Sequence, residues 1–475
     1  MFSYLKRGPN FYRDVGRLAA PIILQNLVTS SLGLVDTFMV GSLPGNEPMA
    51  AVTLANVPIF VILLLIFGLQ SGSSVLISQF WGKRDTDSIN RVIGIGFYVA
   101  AAITALFAGV MFFFPVQFIG LFSSNAPLVA LAAEYARPVG FSYFFNALTE
   151  VYIAAHRSME NPKLGLYILS VSMVSNTFLN WVLIFGNLGA PRLGVSGAAI
   201  ATLISRILEF VVIAVYAVCN RRFRLKPRLV LRPGRLLLKS YVRYSTPVVL
   251  NEAMWGLGTA LYPTIMGHMA GSTEILAAYA LSGNIEKVCT VAVFAIASTA
   301  AIIVGREIGR GTNHNEVYDI GKALNTMAFL GGLTVGILMI LATVFLFSPL
   351  VYPQFGLTLE AQRIATMMLI VTSSFLSVRS FNSTNIVGVL RGGGDVRAAT
   401  LTDLTPLWLF SVPLSAIFGL VLHTDIFWVY LCISLENVVK FFLGVHRFRS
   451  HLWIHDVTLV SFQKGEVKHE NHGSD

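Results

Sequence analysis

The sequence predicts an all-α integral membrane protein: twelve transmembrane helices in two parallel-repeat six-helix lobes around a central cleft. Three observations lead there: an apolar excess, a strictly alternating placement of Lys and Arg, and an internal repeat. Hydrophobic residues make up 55% of the 475 and charged residues only 12%, against about 25% charged in an ordinary soluble domain. Much of a soluble chain must still face water after folding, and this composition has too little polar surface to do so. A spanning helix needs about 20 mostly apolar residues, so hydrocarbon can take what water cannot.

Apolar runs fall at 17–41, 51–80, 92–118, 127–156, 164–187, 194–219, 244–269, 275–304, 317–347, 360–390, 398–422 and 424–448. Several exceed the thickness of a bilayer, which calls for tilt or kinks. Pro58, Pro138 and Pro413 lie inside runs and are the expected kink sites. Of the 34 Lys and Arg, only Arg192 and Arg363 fall in or beside the connections that alternate counting assigns to the outside. Apart from those inside or at the ends of the runs, the rest sit in the opposite set of connections and the two tails. An odd number of spans anywhere would break that phase, so both termini are expected in the cytoplasm of a multi-pass plasma-membrane or inner-membrane protein. The N-terminal stretch through Arg17 is polar and basic, with no cleavage site of a secretory signal.

The predicted domains are an N-terminal lobe over 1–222, a basic cytoplasmic linker over 223–243, a C-terminal lobe over 244–449 and a disordered cytoplasmic tail over 450–475. The net charge of +10 comes from short clusters between apolar runs, not from one stripe, which argues against nucleic acid. The cluster from Arg221 to Arg243 reads as a solvated linker that fixes topology and meets lipid headgroups. Cys219, Cys289 and Cys432 lie in or at the ends of apolar runs. They read as small buried apolar residues with no disulfide.

The repeat appears when residue 21 is laid on residue 247. Pro21 then meets Pro247, Gln25 meets Asn251, Asp36 meets Tyr262, and Gly41 meets Gly267. After one residue of slip, Ala51 meets Ala278 and Gly82 meets Gly309. Further on, Arg157-x3-Asn161-x-Lys163 meets Arg391-x3-Asp395-x-Arg397. Halves with an even number of spans enter from the same side and are related by an axis along the membrane normal.

Ionisable residues near a bilayer centre cost about 2.5–3.5 kcal/mol on insertion scales, so those inside spans need a reason. Gln25, Thr29 and Asp36 share one face of span 1, and Ser172, Asn176 and Asn180 form a stripe on span 5. Counted at about 1.5 Å per residue from the outer ends of their spans, Asp36, Asn180 and Thr202 of span 6 lie at one depth. A carboxylate, amide oxygens and a hydroxyl at one level suit a hard monovalent cation or a proton. The second half carries Glu252, Trp255 and Tyr262 in span 7, Glu286 and Lys287 in span 8, Arg379 and Asn382 in span 10, Asp403 in span 11, and Glu436 and Lys440 in span 12. Glu436 with Lys440 and Arg206 with Glu209 read as structural pairs. An acid beside aromatic rings, as at Glu252, can hold a lipophilic cation, or it can neutralise Lys287 or Arg379.

The P-loop, the nucleophile elbow and the zinc-protease signature are all missing, so no enzyme and no ATPase is expected. Arg391-Gly-Gly-Gly-Asp395 reads as a tight turn, not a phosphate cradle. His451 and His455 have no nearby Cys or acidic cluster to complete a metal site.

Pro21-x3-Gln25…Asp36-x4-Gly41, Asn176-x3-Asn180 with Ile184-Phe185-Gly186, Gly197-Ala-Ala-Ile-Ala-Thr202, Gly82-Lys-Arg84 and the Arg391–Asp395 turn together resemble the multidrug and toxic compound extrusion (MATE) transporters. The resemblance covers about residues 13–450. It implies an antiporter that exports lipophilic, often cationic compounds against inward Na+ or H+, with no other cofactor. It implies an ion site at Asp36, Asn176, Asn180 and Thr202, and a bend of span 1 at Pro21. Many members carry an acid where this chain has Asn180, and a span-7 glutamate where it has Trp255. Gln25, Glu252, Trp255, Tyr262, Arg379 and Asn382 are the candidate substrate contacts. The expected partners are small molecules and membrane lipid, with the protein a monomer. A lipid-linked oligosaccharide flippase of the same broad superfamily is the alternative.

Overall fold

The computed structural model describes residue 4 and residues 7–45, 47–352 and 357–459. Twelve long helical segments follow one another. The first six are α1 (Pro9–Gly41), α2 (Glu47–Gly82), α3 (Thr86–Phe113), α4 (Ala126–Ser158), α5 (Lys163–Phe185) and α6 (Gly194–Cys219). They are followed by α7 (Arg235–Gly267), α8 (Ser272–Cys289 and Val291–Gly309), α9 (His314–Val351), α10 (Leu359–Leu390), α11 (Val396–Val421) and α12 (Ile426–Arg449). Among the described residues there is no strand, only an isolated bridge between Gly394 and Ile454.

Helix starts follow from the local sequence. Asp85 accepts from the Ser88 amide at 3.0 Å, Thr358 from Ala361 at 3.2 Å and Asp425 from Phe427 at 2.8 Å. Each cap satisfies a backbone donor that the first turn leaves without a partner. Ten of the helices are long and apolar enough to cross a membrane by length and composition. The two further spans carry more charge: α4 holds Glu134, Arg137, Glu150 and Arg157, and α7 opens on Arg235, Lys239 and Arg243. Pro58 and Pro138 are accommodated inside continuous helices. In α11, Pro406 and Pro413 sit next to π-helical turns at Leu407–Ser411 and Ile417–Val421. Phe38, Leu106, Val218, Leu401 and Phe442 are all exposed. Such faces fit hydrocarbon, which solvates them without the cost that water imposes.

The chain forms two compact units, one of residues up to 20 with 250–459, the other of residues 21–249. The first span of each half is therefore shared. The change comes at Pro21 in α1 and two residues after Pro247 in α7, the prolines that the repeat superposes. The 21–249 unit has a core of Ile59, Ile62, Ile66, Met111, Ala132 and Ala199 among others, and the 250–459 unit one that includes Met266, Met368, Leu369 and Val429.

Three expectations need correction. Part of the stretch expected to be a solvated linker is folded onto α3: the Asn90 side chain accepts from the Lys226 amide at 2.8 Å, Lys226 pairs with Asp87, and Phe223 and Val230 are buried. The tail is not disordered from residue 450. Trp453 is fully buried, stacks on Phe448 with ring centroids 5.5 Å apart, and donates its indole N–H to the Phe448 carbonyl at 3.0 Å. The remaining tail, 460–475, lies outside the described residues. Finally, Cys432 is buried, but Cys219 is exposed at the end of α6.

Candidate functional site

The polar stripe on α5 meets α1 and α6 because two glycines leave room for close approach. A β-carbon on Gly165 of α5 would meet the Gln25 Oε1 of α1 at 2.5 Å, and one on Gly197 of α6 would meet the Leu183 carbonyl of α5 at 2.5 Å. At Gly197 the close atom is backbone, so only glycine lets α6 come so near α5, whereas Gly165 makes room for the Gln25 side chain.

Four of the sequence-selected residues come together here in a chain of hydrogen bonds. The Asn180 amide donates to Asp36 Oδ1 at 2.6 Å and to Asn176 Oδ1 at 3.1 Å. Asn176 donates onward to Thr202 Oγ1 at 3.4 Å, and Thr202 donates to the Ala198 carbonyl at 3.0 Å. Asn180 is 0% exposed, and its own Oδ1 has no hydrogen-bond partner. Gln25 and Ser172 are also buried, and Gln25 Oε1 and Ser172 Oγ lack partners as well. Leaving a buried acceptor unsatisfied costs on the order of 1–3 kcal/mol, so a proton, cation or water reaching these atoms would be stabilised. A proton or a small hard cation would complement one carboxylate and a spare amide oxygen. Among the described residues no group of three or more His, Cys, Asp or Glu is arranged to hold a metal. His451 instead stacks on Tyr318 with centroids 4.0 Å apart.

Close by on α6, Arg206 pairs with Glu209 at 2.7 Å, and Glu209 is fully buried. Reading the sequence missed Glu150 of α4, which accepts from Gln70 of α2 at 3.2 Å. The signal was available: an acid inside an otherwise apolar stretch of α4.

In the 250–459 unit the expected acid with aromatic walls does not form. Glu252 neither stands open nor pairs with Lys287 or Arg379. It pairs with Arg391 at 2.9 Å, and that guanidinium is 1% exposed. Arg379 pairs with Glu286. Tyr262 shares a hydrogen bond with Ser411 at 2.7 Å and donates to Glu436 at 3.0 Å. Asn382 donates to the Asn437 carbonyl at 2.7 Å, and Trp255 is half-buried, its carbonyl accepting from Thr259. Opposite charges in a low-dielectric interior find each other before they find a ligand, which is why spacing along one helix misassigned these partners. The 391–395 segment is a turn: Gly393 donates to Val389 at 2.8 Å and Asp395 to Leu390 at 3.0 Å, while Arg447 donates to the Asp395 carboxylate at 2.6 Å.

Comparison with known proteins agrees with this architecture. The MatE family model matches residues 21–182, which include Asp36, Asn176 and Asn180. A probable multidrug resistance protein YoeA of Bacillus subtilis is 26% identical over 86% of this chain and 87% of its own length. A probable multidrug resistance protein NorM of Thermotoga maritima is 22% identical over 86% and 85%. The outward-facing structure of a multidrug resistance MATE family transporter superposes with a TM-score of 0.80 at 21% identity, covering 94% of this chain and 98% of that one. With twelve spans, an internal repeat and a polar cluster on α1, α5 and α6, this chain is a multi-pass membrane protein with the fold of the MATE transporters.

Proposed function

We propose that the protein exports lipophilic, mostly cationic compounds across the plasma membrane in exchange for inward Na+ or H+, with Asp36, Asn176, Asn180 and Thr202 taking the ion. One observation carries the reading: buried Asn180 spends both amide hydrogens on Asp36 and Asn176 and keeps an unpartnered oxygen next to the carboxylate. An arriving positive charge gains the carboxylate and that oxygen together. The relatives named as multidrug resistance proteins support the substrate class.

Ion binding favours one conformation of the transporter and weakens the hold on substrate, and by linkage the substrate weakens the hold on the ion. Pro21 lacks a backbone N–H inside α1, so the helix bends there at low cost when Asp36 changes charge. Gln25 and Trp255 remain candidate substrate contacts, whereas Glu252 and Arg379 serve in ion pairs. Both termini are cytoplasmic, in keeping with the basic connections. The four ion-binding groups come from one chain, so a monomer suffices.

The test is ethidium transport by purified protein in proteoliposomes, under a Na+ gradient alone and a pH gradient alone. The reading expects transport driven by one of the two. Transport by neither, with lipid-linked oligosaccharide moved instead, favours the flippase.

A further inference from the structure

The 250–459 unit buries a second cluster of charges that does not balance. Lys440 Nζ lies 2.7 Å from Asp403 Oδ1 and 2.5 Å from Glu436 Oε1. One ammonium thus serves two carboxylates, and all three residues sit within membrane-spanning helices α11 and α12. Lys440 and Glu436 are buried, 6% and 7% exposed. Two further pairs of opposite charge lie near the cluster and leave the count unchanged. Arg379 of α10 pairs with Glu286 of α8, and Arg391, which also lies within electrostatic reach of Asp403, pairs with Glu252 of α7. The remaining titratable neighbours are Tyr262 of α7, Tyr279 of α8, and Tyr430 and Cys432 of α12; the Tyr430 hydroxyl is bonded to Thr372 at 2.9 Å. One carboxylate is left over, and an uncompensated buried charge is among the costliest features a membrane protein can hold.

The surroundings accept a proton. Tyr262 donates to Glu436 at 3.0 Å and shares a bond with Ser411 at 2.7 Å. A hydroxyl pair of that kind can reverse direction and accept from a protonated acid. On the other side, Asn251 is 1% exposed and donates to Asp403 at 2.9 Å, while its Oδ1 on the same amide has no partner. That oxygen is a ready acceptor for a proton on Asp403.

The repeat gives the cluster a meaning. The offset that lays Arg157 on Arg391 also lays Thr202 on Glu436 and Arg206 on Lys440, while Tyr262 occupies the place of Asp36. Asn251 occupies the place of Gln25, likewise a buried amide with an unpartnered oxygen. The second unit thus holds a counterpart of the Asp36 cluster in which the acid has moved from the first helix of the half to the last.

We propose that Asp403, Glu436 and Lys440 form a second ion-exchanging site that carries one proton shared between its two carboxylates. The proton belongs to the pair and not to either residue. Uptake adds one proton to a carboxylate oxygen and makes the cluster neutral; release to water restores the single negative charge. The proposal does not depend on the assignment of Asp36.

The experiment uses the full chain reconstituted in lipid, with Asp36→Asn as the background so that the first cluster is silent. Infrared difference spectra between acid and alkaline pH read the C=O stretch of protonated carboxyl groups. The background should keep such a band, and Glu436→Gln or Asp403→Asn added singly should each reduce it by one carboxyl group, because either leaves one carboxylate for one ammonium. Lys440→Met should enlarge the band, since two acids then need protons. Each variant is first checked for a monodisperse peak in detergent, and the three substitutions are read independently, so that loss of one leaves the others. A band of equal size in the background, Glu436→Gln and Asp403→Asn proteins overturns the proposal. So does the absence of any change with Lys440→Met.

Discussion

Asn180 of α5 reaches across to α1 and donates to Asp36 at 2.6 Å, while its other amide hydrogen goes to Asn176 at 3.1 Å. Both hydrogens of one buried amide are fixed, so its unpartnered oxygen is held in place as well. In the proposed function that oxygen is the neutral atom on which an incoming cation rests. Its identity sets how much charge the site offers.

Replacing it by a carboxylate tests that idea. Asn180→Asp puts a second negative group against Asp36, so a cation is attracted more strongly and desolvated for the same benefit. The expected result is apparent Na+ affinity higher by about tenfold or more, roughly 1.4 kcal/mol, in a Na+ titration of ethidium transport. Unchanged dependence on both Na+ and pH would place the ion elsewhere.

The Glu252–Arg391 pair makes a stability prediction. Glu252→Gln removes the carboxylate 2.9 Å from a buried guanidinium, and breaking a buried pair in this way costs on the order of 3–5 kcal/mol. The thermal midpoint of the purified protein in detergent should fall clearly. The double variant Glu252→Gln with Arg391→Met should recover much of that loss, because the buried guanidinium is gone as well. If the single variant melts with the wild type, the pair contributes nothing.

Trp453 predicts a structural role for the segment after α12. A β-carbon at Gly393 would meet the Trp453 ring at 2.5 Å, and the ring stacks on Phe448. Trp453→Ala should destabilise the fold by about 3–5 kcal/mol, read as a lower melting midpoint and lower yield. Ethidium transport per folded molecule should stay near wild type, because the ring touches none of the polar clusters. A variant that melts like the wild type yet transports poorly would contradict this division.

How much of this was legible in the sequence depends on the kind of interaction. Span number was legible in apolar length, which the bilayer enforces one helix at a time. The Asp36 cluster was also legible, since Asn176 and Asn180 repeat every turn and depth can be counted from the span ends. Partners joined across distant helices were not. Nothing in the spacing of Glu252 points to Arg391, 139 residues away, nor does Asp403 point to Lys440. Charge matching in a dry interior is decided by tertiary packing. Glu436 with Lys440 was read as a simple pair because the i, i+4 rule sees one helix at a time and missed the third member. The burial of Trp453 was hidden for another reason: its partner surface is a glycine turn with no apolar pattern of its own.

Asp36→Asn is the substitution on which the account turns. The new amide can still accept from Asn180 through its oxygen, so the protein should fold and purify normally. Ethidium flux into proteoliposomes under the driving ion gradient should drop to that of empty vesicles in this variant while wild type transports. Flux at the wild-type level, with the same ion dependence, would show that the charge on Asp36 is not what couples the gradient to transport.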